Sequence, residues 1–408
     1  MLKSVGILLI GALAFASVPQ TVSAAPTAQA SKPPRDLMES GPAPRVSYVG
    51  TPRPESFELF RGSRMFLRGT INGNDTGMML DSGASMTVLD TAYAKKIGVK
   101  GHRHAPIAGA SGSIPGEIAS NVSVGVGGLM MDGSDVIIMD LSPIAKAIGR
   151  PIPVILGHDA LDSGPVTIDF QNRSMLFAPA AGFRAPTQAT KVELGHDGPF
   201  RSVKVAVAGL PPINATFDIG NGGTVLLAKS YWDGKAEIAS LHGAETQLGG
   251  VGGMKVARKV TLPTVEFAGQ TLKAVPAFLN QDRAALPTEG ANLGIEMLKP
   301  FVVTLDYAND AMYLQRSGEW AGFTRERAGL GTHLIDGRLK VTYVSPDGPA
   351  KAAGLKAGDE IVAVNGQPIT PEYYATTLAR WAEGATGSTV ELSRADGSTA
   401  KIRLADYY

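Results

Sequence analysis

The sequence predicts a mainly β fold in which two similar lobes precede a smaller α+β unit. The chain has 408 residues, 49 of them Gly and 27 Pro, and 44% are hydrophobic, which suits several compact domains. Short runs rich in Val, Ile, Thr and Phe are broken by glycine-containing turns, as is typical of strands. Two long segments also match each other at a constant offset of 137 residues, the spacing between Asp81 and Asp218.

The N-terminal segment is typical of a cleaved signal peptide. Lys3 precedes an apolar run over residues 5–16, and Val22-Ser23-Ala24 places small residues where a signal peptidase reads. This run is shorter than the roughly 20 residues that span a bilayer. We therefore expect residues 1–24 to be removed on export, leaving a periplasmic or secreted protein with no stable membrane insertion. Residues 25–55 are rich in Pro, which favours an extended, mobile linker.

Charge and residue types exclude several functional classes. Lys and Arg number 38 and Asp and Glu 37, so there is no excess positive charge to attract nucleic acid. The chain has no cysteine, which excludes disulfides, thiolate metal sites and thiol nucleophiles. His102 and His104 form a close pair, but no third ligand follows at a suitable spacing. We therefore predict no metal site and no other cofactor.

The repeat keeps one register across both lobes, which we place at residues 56–183 and 184–318. The matching stretches are 78–84 with 215–221, 87–89 with 224–226, 156–157 with 293–294, and 166–170 with 303–307. Helix is expected only in short pieces, over residues 91–97 and in a counterpart that begins at Lys229. The third unit, residues 326–408, has a different pattern.

One carboxylate in each lobe points to chemistry. Asp81 and Asp218 each follow an apolar strand and precede a residue-Gly turn, Ser82-Gly83 in the first lobe and Ile219-Gly220 in the second. Facing lobes would bring the two carboxylates together, and neighbouring like charges share one proton. The pair then offers a base that takes a proton from water and an acid that protonates a carbonyl oxygen. This arrangement favours peptide hydrolysis.

The residues around Asp81 resemble those of the retropepsin-like aspartic proteases of the pepsin superfamily. The likeness rests on Leu-Asp-Ser-Gly-Ala-Ser over residues 80–85 and on Ile-Leu-Gly over 155–157, and its repetition covers residues 55–316. It implies a single-chain enzyme with two β-barrel lobes and a catalytic pair formed by Asp81 and Asp218, whose shared proton is typical of that superfamily. The resemblance also implies a supporting set around the pair, comprising Ser82, Gly83, Thr87, Gly220, Asn221 and Thr224.

The second copy departs from the family pattern at one position. In the family, a hydroxyl residue after each Asp braces the two strand ends, and the chain has Ser82 in the first lobe but Ile219 in the second. Either Ser82 braces the pair alone, or Thr224 or Asn221 compensates.

A glycine-rich segment lies between the Asp and the Leu-Gly element of each lobe, over residues 109–113 and 248–253. Both resemble hairpin flaps that close over a substrate, although the first lacks the aromatic residue of pepsin-like flaps. Ordinary glycine-rich hairpin turns are the alternative. The candidate substrate contacts in these segments are Gly109, Ser111, Gly112, Gly249, Gly250 and Gly252.

Residues 344–350, 353–355 and 358–366 closely resemble bacterial PDZ domains. In that comparison Gly329, Leu330, Gly331 and Thr332 stand where the carboxylate-binding loop receives a peptide C-terminus, which adds as a strand beside the sheet. A helix over residues 371–383, with Pro371 in its first turn, is expected to flank the groove. The alternative is a unit that only caps the cleft.

These observations favour an exported aspartic endopeptidase that cleaves peptides or unfolded proteins and binds C-terminal peptides through its PDZ unit. The alternative is an inactive bilobal protein that binds peptides, motivated by Ile219. A third interpretation pairs the first lobes of two chains and predicts a dimer in which Asp218 is dispensable.

Overall fold

The computed structural model describes residues 6–7, 43–109, 112–251, 253–285, 287, 289–318, 320 and 322–408. Strands hold 49% of the residues and helices 13%, which confirms the predicted mainly β fold. The predicted signal peptide lies outside the described residues apart from Gly6–Ile7, and so do residues 25–42 of the predicted linker. None of the helices in the described part of the chain is long and apolar enough to cross a membrane.

The first lobe consists of strands that curve around an apolar core, with three short helices between them. Its strands are β1 (Gly6–Ile7), β2 (Arg45–Tyr48), β3 (Glu55–Ser56), β4 (Glu58–Phe60), β5 (Arg64–Ile71), β6 (Asn74–Leu80), β7 (Val88–Asp90), β8 (Arg103–Gly109), β9 (Gly112–Val126), β10 (Leu129–Met139), β11 (Val154–Leu156), β12 (Val166–Asp169) and β13 (Ser174–Phe177). Its helices are α1 (Thr91–Lys96), α2 (Ser142–Ile148) and α3 (His158–Leu161). The predicted helix at 91–97 is confirmed, and the Asp90 side chain caps it by accepting from the amides of Ala92 and Tyr93.

The second lobe follows the same plan. Its strands are β14 (Thr190–Glu193), β15 (Gly195–Asp197), β16 (Phe200–Val207), β17 (Ile213–Asp218), β18 (Val225–Leu227), β19 (Gly243–Gly250), β20 (Gly253–Phe267), β21 (Gln270–Asn280), β22 (Ala291–Gly294), β23 (Phe301–Asp306) and β24 (Ala311–Arg316). Helices α4 (Lys229–Trp232) and α5 (Ala236–Ala239) and the 3₁₀ helices Ile295–Met297 and Tyr307–Asn309 complete it. Helix α4 begins at Lys229, as predicted.

The strand orders of the two lobes are equivalent. The main sheet of the first lobe contains the order β8-β9-β10-β7-β11-β6-β5-β4, and that of the second lobe runs β19-β20-β21-β18-β22-β17-β16-β15. Each strand of one series occupies the place of its 137-residue counterpart in the other. The internal repeat predicted from the sequence is therefore confirmed as a repeat of topology.

A shared six-stranded sheet joins the lobes in the order β14-β24-β23-β12-β13-β3. At its centre β12 and β23 pair antiparallel, and Thr167 lies opposite Thr304, its repeat counterpart. The two hydroxyl oxygens are 3.0 Å apart. This pairing relates the lobes by an approximate two-fold axis, so equivalent ends of the two barrels face each other.

The structure differs from the prediction over part of the linker. Strand β2 pairs antiparallel with β10, and the Tyr48 hydroxyl donates to the Ala178 carbonyl at 2.8 Å. Residues 45–48 therefore belong to the first lobe. A Pro-rich composition favours extended backbone, and extended backbone is also what a sheet edge can pair with.

The C-terminal unit is a five-strand path with one added strand. It contains β25 (Leu330–Ile335), β26 (Arg338–Val344), β27 (Glu360–Val364), β28 (Gln367–Pro368), β29 (Thr389–Arg394) and β30 (Thr399–Arg403), with helix α6 (Pro349–Ala352) and 3₁₀ helices Tyr373–Ala375 and Thr377–Glu383. The order is β25-β26-β27-β29-β30, with β28 beside β27. Strand β25 is thus at a sheet edge.

The single helix predicted over 371–383 is wrong. The segment forms two short 3₁₀ helices separated by Thr376, which is extended with φ −101° and ψ 159°. The Thr376 hydroxyl donates to the Tyr373 carbonyl at 2.7 Å. A local side-chain bond of this kind competes with helix continuation, and Pro371 lies ahead of the first turn rather than within it.

The C-terminal unit packs against both lobes. On the first lobe, the rings of Phe60 and Tyr374 meet edge to face with centroids 5.8 Å apart. On the second, the Ser345 hydroxyl donates to the Glu245 carbonyl at 2.8 Å, and the Glu245 amide donates to Asp347 Oδ2 at 3.1 Å. The unit therefore bridges the two lobes along one side.

Candidate active site

The two predicted aspartates occupy equivalent strand ends. Asp81 follows β6, and its amide donates to the Leu156 carbonyl at 2.9 Å. Its Oδ1 accepts from the Gly83 amide at 2.8 Å. Asp218 ends β17, and its Oδ1 accepts from the Asn221 amide at 3.1 Å. Both side chains are fully buried, and each carboxylate is held by the amide of the turn that follows it.

Glycine is required in each Leu-Gly element. A Cβ on Gly157 would overlap the backbone of Met86 and Ala84, and a Cβ on Gly294 would overlap the carbonyls of Gly223 and Asn221. These carbonyls belong to the loops that follow the two aspartates. The close approach explains why the same dipeptide recurs in both lobes, since only glycine lets the strand pass beneath the active-site loop.

The two carboxyl groups meet across the lobe interface. Asp81 and Asp218 are neighbours across the interface, and each shifts the pKa of the other. A Cβ on Gly220 would overlap the Asp81 carboxylate, so this glycine makes room for the residue from the opposite lobe. Asn292 Nδ2 also donates to Asp218 Oδ2 at 3.2 Å. The pair is thus formed within one chain, with no need for two first lobes from different chains.

Burial and mutual repulsion set the protonation of the pair. Burial raises the pKa of Asp81 to about 6, against the opposing effects of the Gly83 amide, the Asp218 hydrogen bond and the Arg64 charge. Burial and the neighbouring Asp81 charge raise the pKa of Asp218 well above its usual range. Among the described N–H and hydroxyl donors, none reaches Asp81 Oδ2, which leaves the Asp218 proton as its partner. The two carboxyls therefore titrate as a coupled pair that keeps a proton to higher pH than an isolated aspartate does.

Ser82 alone braces the strand ends. Its hydroxyl accepts from the Ile219 amide at 2.9 Å and donates to the Phe217 carbonyl at 3.3 Å. The Ile219 side chain is fully buried in the apolar core. Thr224 donates to the Pro276 carbonyl, and Asn221 bonds to Asn292 within the second lobe. Neither of those two residues replaces the missing hydroxyl, because both side chains bond inside their own lobe.

Thr87 supports the first active-site loop through a residue whose role the sequence did not reveal. The Thr87 amide and hydroxyl each bond to one oxygen of Asp159 at 3.0 Å. Asp159 Oδ1 also accepts from the Ala160 amide at 3.1 Å, and burial raises the pKa of this carboxyl. The second lobe has Glu296 at the equivalent position, and this difference between the copies hid the structural role of Asp159 from sequence reasoning.

Both predicted flaps are hairpins whose ends meet. Gly109 pairs with Gly112 at the end of β8-β9, while Gly249 and Gly250 pair with Met254 and Gly253 at the end of β19-β20. Ser111 and Gly252 lie outside the described residues.

The end of the second flap reaches across to the first lobe. Val251 is buried in one apolar cluster with Ile107 of the first flap and Ala84 of the Asp81 loop. A Cβ on Gly109 would overlap the Val251 side chain. The two flaps are therefore closed against each other beside the active-site loop.

Comparison with protein-family models identifies the domains. The aspartyl protease model matches residues 67–160, a segment that contains Asp81, the first flap and the Leu-Gly element. Residues 67–160 are therefore similar to an aspartyl-protease domain. A PDZ-domain model matches residues 340–393, which confirms the PDZ resemblance of the C-terminal unit. A search of curated proteins found no match. These domains support a protease-like function and peptide or protein binding in general.

The four predicted peptide-binding residues of the PDZ domain lie partly within a strand. Gly329 precedes β25, whereas Leu330, Gly331 and Thr332 are its first residues, and Gly331 pairs with Tyr343. The Tyr374 hydroxyl donates to the Thr332 carbonyl at 3.4 Å. Leu330 and Thr332 line a cavity beside this edge strand.

The Glu326 side chain accepts hydrogen bonds from the backbone amides just before β25. Glu326 Oε1 accepts from the amides of Ala328 and Gly329 at 2.7 and 2.8 Å. Glu326 Oε2 accepts from the Tyr407 hydroxyl at 2.7 Å. Of the four predicted residues, only Gly329 takes part, and its amide bonds to an acid of the chain itself.

The cavity beside the PDZ edge strand is shared with the protease lobes. It measures about 650 Å³ and lies between the turn before β5, the Gly222-Gly223 segment of the second lobe and the PDZ residues Leu330 and Trp381. Gly222 belongs to the loop that follows Asp218, so the cavity extends from that loop of the second lobe to the edge strand of the C-terminal unit. We call this cavity the interdomain chamber.

Sequence reasoning missed Arg64, which lies on the chamber wall. Its side chain is only 6% exposed, and its charge acts on both Asp81 and Asp218. A Cβ on Gly222 would overlap its guanidinium, which therefore rests against the opposite lobe. The repeat carries the signal that would have found it, because Arg201 stands at the same 137-residue offset.

The predicted histidine pair does not assemble a metal site. His104 Nδ1 lies 3.6 Å from Glu117 Oε1 in an exposed contact. Across the residues that the structure describes, no group of three or more His, Cys, Asp or Glu side chains is arranged to hold a metal ion.

Proposed function

We propose that the protein is an aspartic endopeptidase in which each lobe supplies one catalytic carboxyl. The observation that carries this proposal is the fully buried, electrostatically coupled pair of Asp81 and Asp218, whose pKa values are both raised. An acid beside a base in a water-poor site is what general acid–base hydrolysis of an amide needs. The cross-lobe bonds of Ser82 support a fixed geometry, which effective catalysis requires.

In the proposed reaction, ionised Asp81 takes a proton from water as the water oxygen attacks the carbonyl carbon of the scissile bond. Asp218 gives its proton to the carbonyl oxygen at the same time, so a neutral tetrahedral diol forms. Asp81 then passes its proton to the leaving nitrogen, and Asp218 recovers a proton from one diol hydroxyl as the C–N bond breaks. Both carboxyls return to their starting states, and the products are a carboxylic acid and an amine.

The substrate in this proposal is an extended peptide or an unfolded protein segment. Once residues 1–24 are removed, flap strand β8 is an edge strand of its sheet and offers its backbone to an extended chain. Main-chain pairing of this kind gives affinity with little dependence on side chains.

We assign the PDZ domain a role in holding the C-terminal part of the substrate. Strand β25 is an edge strand flanked by the 3₁₀ helix Thr377–Glu383, a layout suited to strand addition. The N-terminal pattern of Lys3 and the following apolar run supports an exported location for this activity.

Digestion of a peptide mixture by the purified protein tests the proposal. We expect cleavage that increases as the pH rises through about 6, because Asp81 must ionise, and that declines at higher pH as Asp218 loses its proton. Mass spectrometry of the products beside Asp81→Asn gives the control. Peptide binding without cleavage at any pH would instead support the inactive peptide-binding alternative.

A further inference from the structure

The interdomain chamber carries more positive than negative side chains. Its cationic lining residues are Arg61, Arg64, Arg173, Lys259, Lys299 and Arg380, and its acidic ones are Glu296, Glu326 and Glu383. Each acid already has partners: Glu296 bonds to Lys299, Glu383 to Arg380 at 2.6 Å, and Glu326 to backbone amides. The remaining cations therefore face the chamber without a carboxylate of their own among the described residues.

Arg64 is the most deeply placed of these cations. Its Nη1 donates only to the carbonyl and hydroxyl of the adjacent Ser63, at 3.0 and 3.5 Å. Its Nε is buried, and none of the described acceptors bonds to it. A guanidinium has five donors, and a buried charge is costly unless it is paired. This cost is reflected in its pKa, which burial lowers to about 10.

Arg201, the repeat counterpart of Arg64, differs from it in its acidic neighbours. Arg201 lies 3.5 Å from Asp162 and 3.5 Å from Asp310, so its charge is balanced within the chain. The position equivalent to Asp162 in the second lobe is Lys299, which lines the chamber with Arg64. Arg201 thus has two ion-pair partners, whereas the equivalent position near Arg64 carries the cation Lys299. The charges of Asp81, Asp218 and Glu296 act on Arg64, but none of these acids forms an ion pair with it among the described residues, so its guanidinium is available to a ligand carboxylate.

We propose that the interdomain chamber is a carboxylate-binding subsite for peptides, with Arg64 as its specificity-determining residue. The carboxylate comes either from an acidic side chain or from the C-terminus of the bound peptide. The chamber borders both the Gly222-Gly223 segment and the PDZ strand residues Leu330 and Thr332, so one extended peptide reaches both domains. This inference rests on the proposed peptide substrate and adds a charge preference to it.

The test measures binding separately from cleavage. The Asp81→Asn protein is titrated with short neutral peptides in which a single Glu or Gln is scanned along the chain, each with a free or an amidated C-terminus. Fluorescence anisotropy gives the dissociation constants. We expect at least one Glu peptide, or the free-acid series, to bind about tenfold more tightly than its neutral match, as a charge-assisted bond to arginine allows. The Glu arm and the amidation arm distinguish the two carboxylate sources.

Variants of the two arginines decide whether Arg64 is responsible. Arg64→Gln should abolish the preference, Arg64→Lys should keep part of it, and the matched Arg201→Gln should leave it intact, since Arg201 does not line the chamber. Gly222→Ala gives a second route if Arg64→Gln fails to fold, because the added methyl displaces the guanidinium without removing its charge.

Two results would overturn the inference: equal affinity for acidic and neutral peptides in the Asp81→Asn background, or a preference that survives Arg64→Gln. Cleavage by the unmodified protein without a charge preference would refute the subsite and keep the protease. A charge preference without any cleavage would keep the subsite and refute the protease.

Discussion

Ser82 connects the two lobes beside Asp81 and Asp218 through one hydroxyl. Ser82→Ala would leave the Ile219 amide and the Phe217 carbonyl buried and unpaired, at a cost of about 1–3 kcal/mol in the free energy of unfolding. We also expect a clear fall in kcat, because the strand ends that hold the carboxyls lose their tie. Chemical denaturation and peptide-cleavage kinetics measure the two effects. Ser123→Ala, which removes a bond to Asp132 away from the lobe interface, is the control and should change kcat little.

Replacing Gly220 tests the packing around the Asp81 carboxylate rather than a hydrogen bond. Its α-carbon faces the Asp81 carboxylate so closely that an added methyl group would displace that carboxylate. Gly220→Ala should therefore reduce kcat/KM by about tenfold or more, since small misplacements of a catalytic group are costly. Gly77→Ala is the matched control, because a Cβ there meets nothing within 4 Å. Equal activity in the two variants would contradict the described packing.

At the residue scale, the sequence located the functional residues that occur in both copies of the repeat. Asp81 and Asp218 were predictable because each copy shows the same strand, Asp and glycine turn. Arg64 was not predicted, because an arginine in a strand is ordinarily a surface residue, and only the lobe interface buries it. The structural role of Asp159 was not predicted either, since its bonds to Thr87 depend on a contact between segments that are distant in the sequence.

The flaps give the first prediction at the scale of elements. Val251 buries its side chain in a cluster that joins the two hairpins, and burial of a valine contributes roughly 1.5–3 kcal/mol. Val251→Ser should weaken flap closure and raise KM about tenfold, with a smaller effect on kcat. Val256→Ser on the same hairpin, at a site that is 46% exposed, should have almost no effect on KM. Steady-state kinetics on one peptide compare the two, and matching KM values would show that Val251 does not hold the flap.

Elements were predictable where a local pattern decides them. Runs rich in Val, Ile, Thr and Phe between glycine turns indicated the strands, and the short helix expected over residues 91–97 is α1. The 371–383 helix was predicted in error because the break at Thr376 arises from its own side-chain bond, which propensity does not show. Strand β2 was missed because its partner, β10, lies far along the chain and its composition is that of a linker.

The whole molecule combines a predicted symmetry with an unpredicted arrangement. The repeat implied two equivalent lobes, and the shared sheet with Thr167 opposite Thr304 follows from that symmetry. The position of the PDZ domain had no such signal, because it depends on contacts such as Phe60 with Tyr374 between unrelated segments. The interdomain chamber is a consequence of this placement and so was also beyond sequence reasoning.

The buried pair makes the stability of the whole protein depend on pH. Both carboxyls have raised pKa values in the folded state, so the folded protein keeps protons that the unfolded chain releases as the pH rises. The free energy of unfolding should therefore fall as the pH rises from about 4, the ordinary aspartate pKa, through about 6, the folded pKa of Asp81, by roughly 1.4 kcal/mol per pH unit for each extra proton held, and Asp218 extends the fall to higher pH. Asp218→Asn should flatten this slope and be more stable than the unmodified protein at the higher pH.

Urea denaturation across this pH range measures the slope, with Asp75→Asn, at an exposed aspartate, as the control. A slope for Asp218→Asn that equals that of the control would mean that Asp218 does not hold a proton in the folded state.

The central claim is that one chain forms one catalytic pair from its two lobes, and mixing two inactive variants tests it most directly. Asp81→Asn and Asp218→Asn should each abolish peptide cleavage, and an equimolar mixture of the two should stay inactive, because each chain then contains only a broken pair. Cleavage that persists in Asp218→Asn, or that returns on mixing, would contradict the account and place the pair between chains.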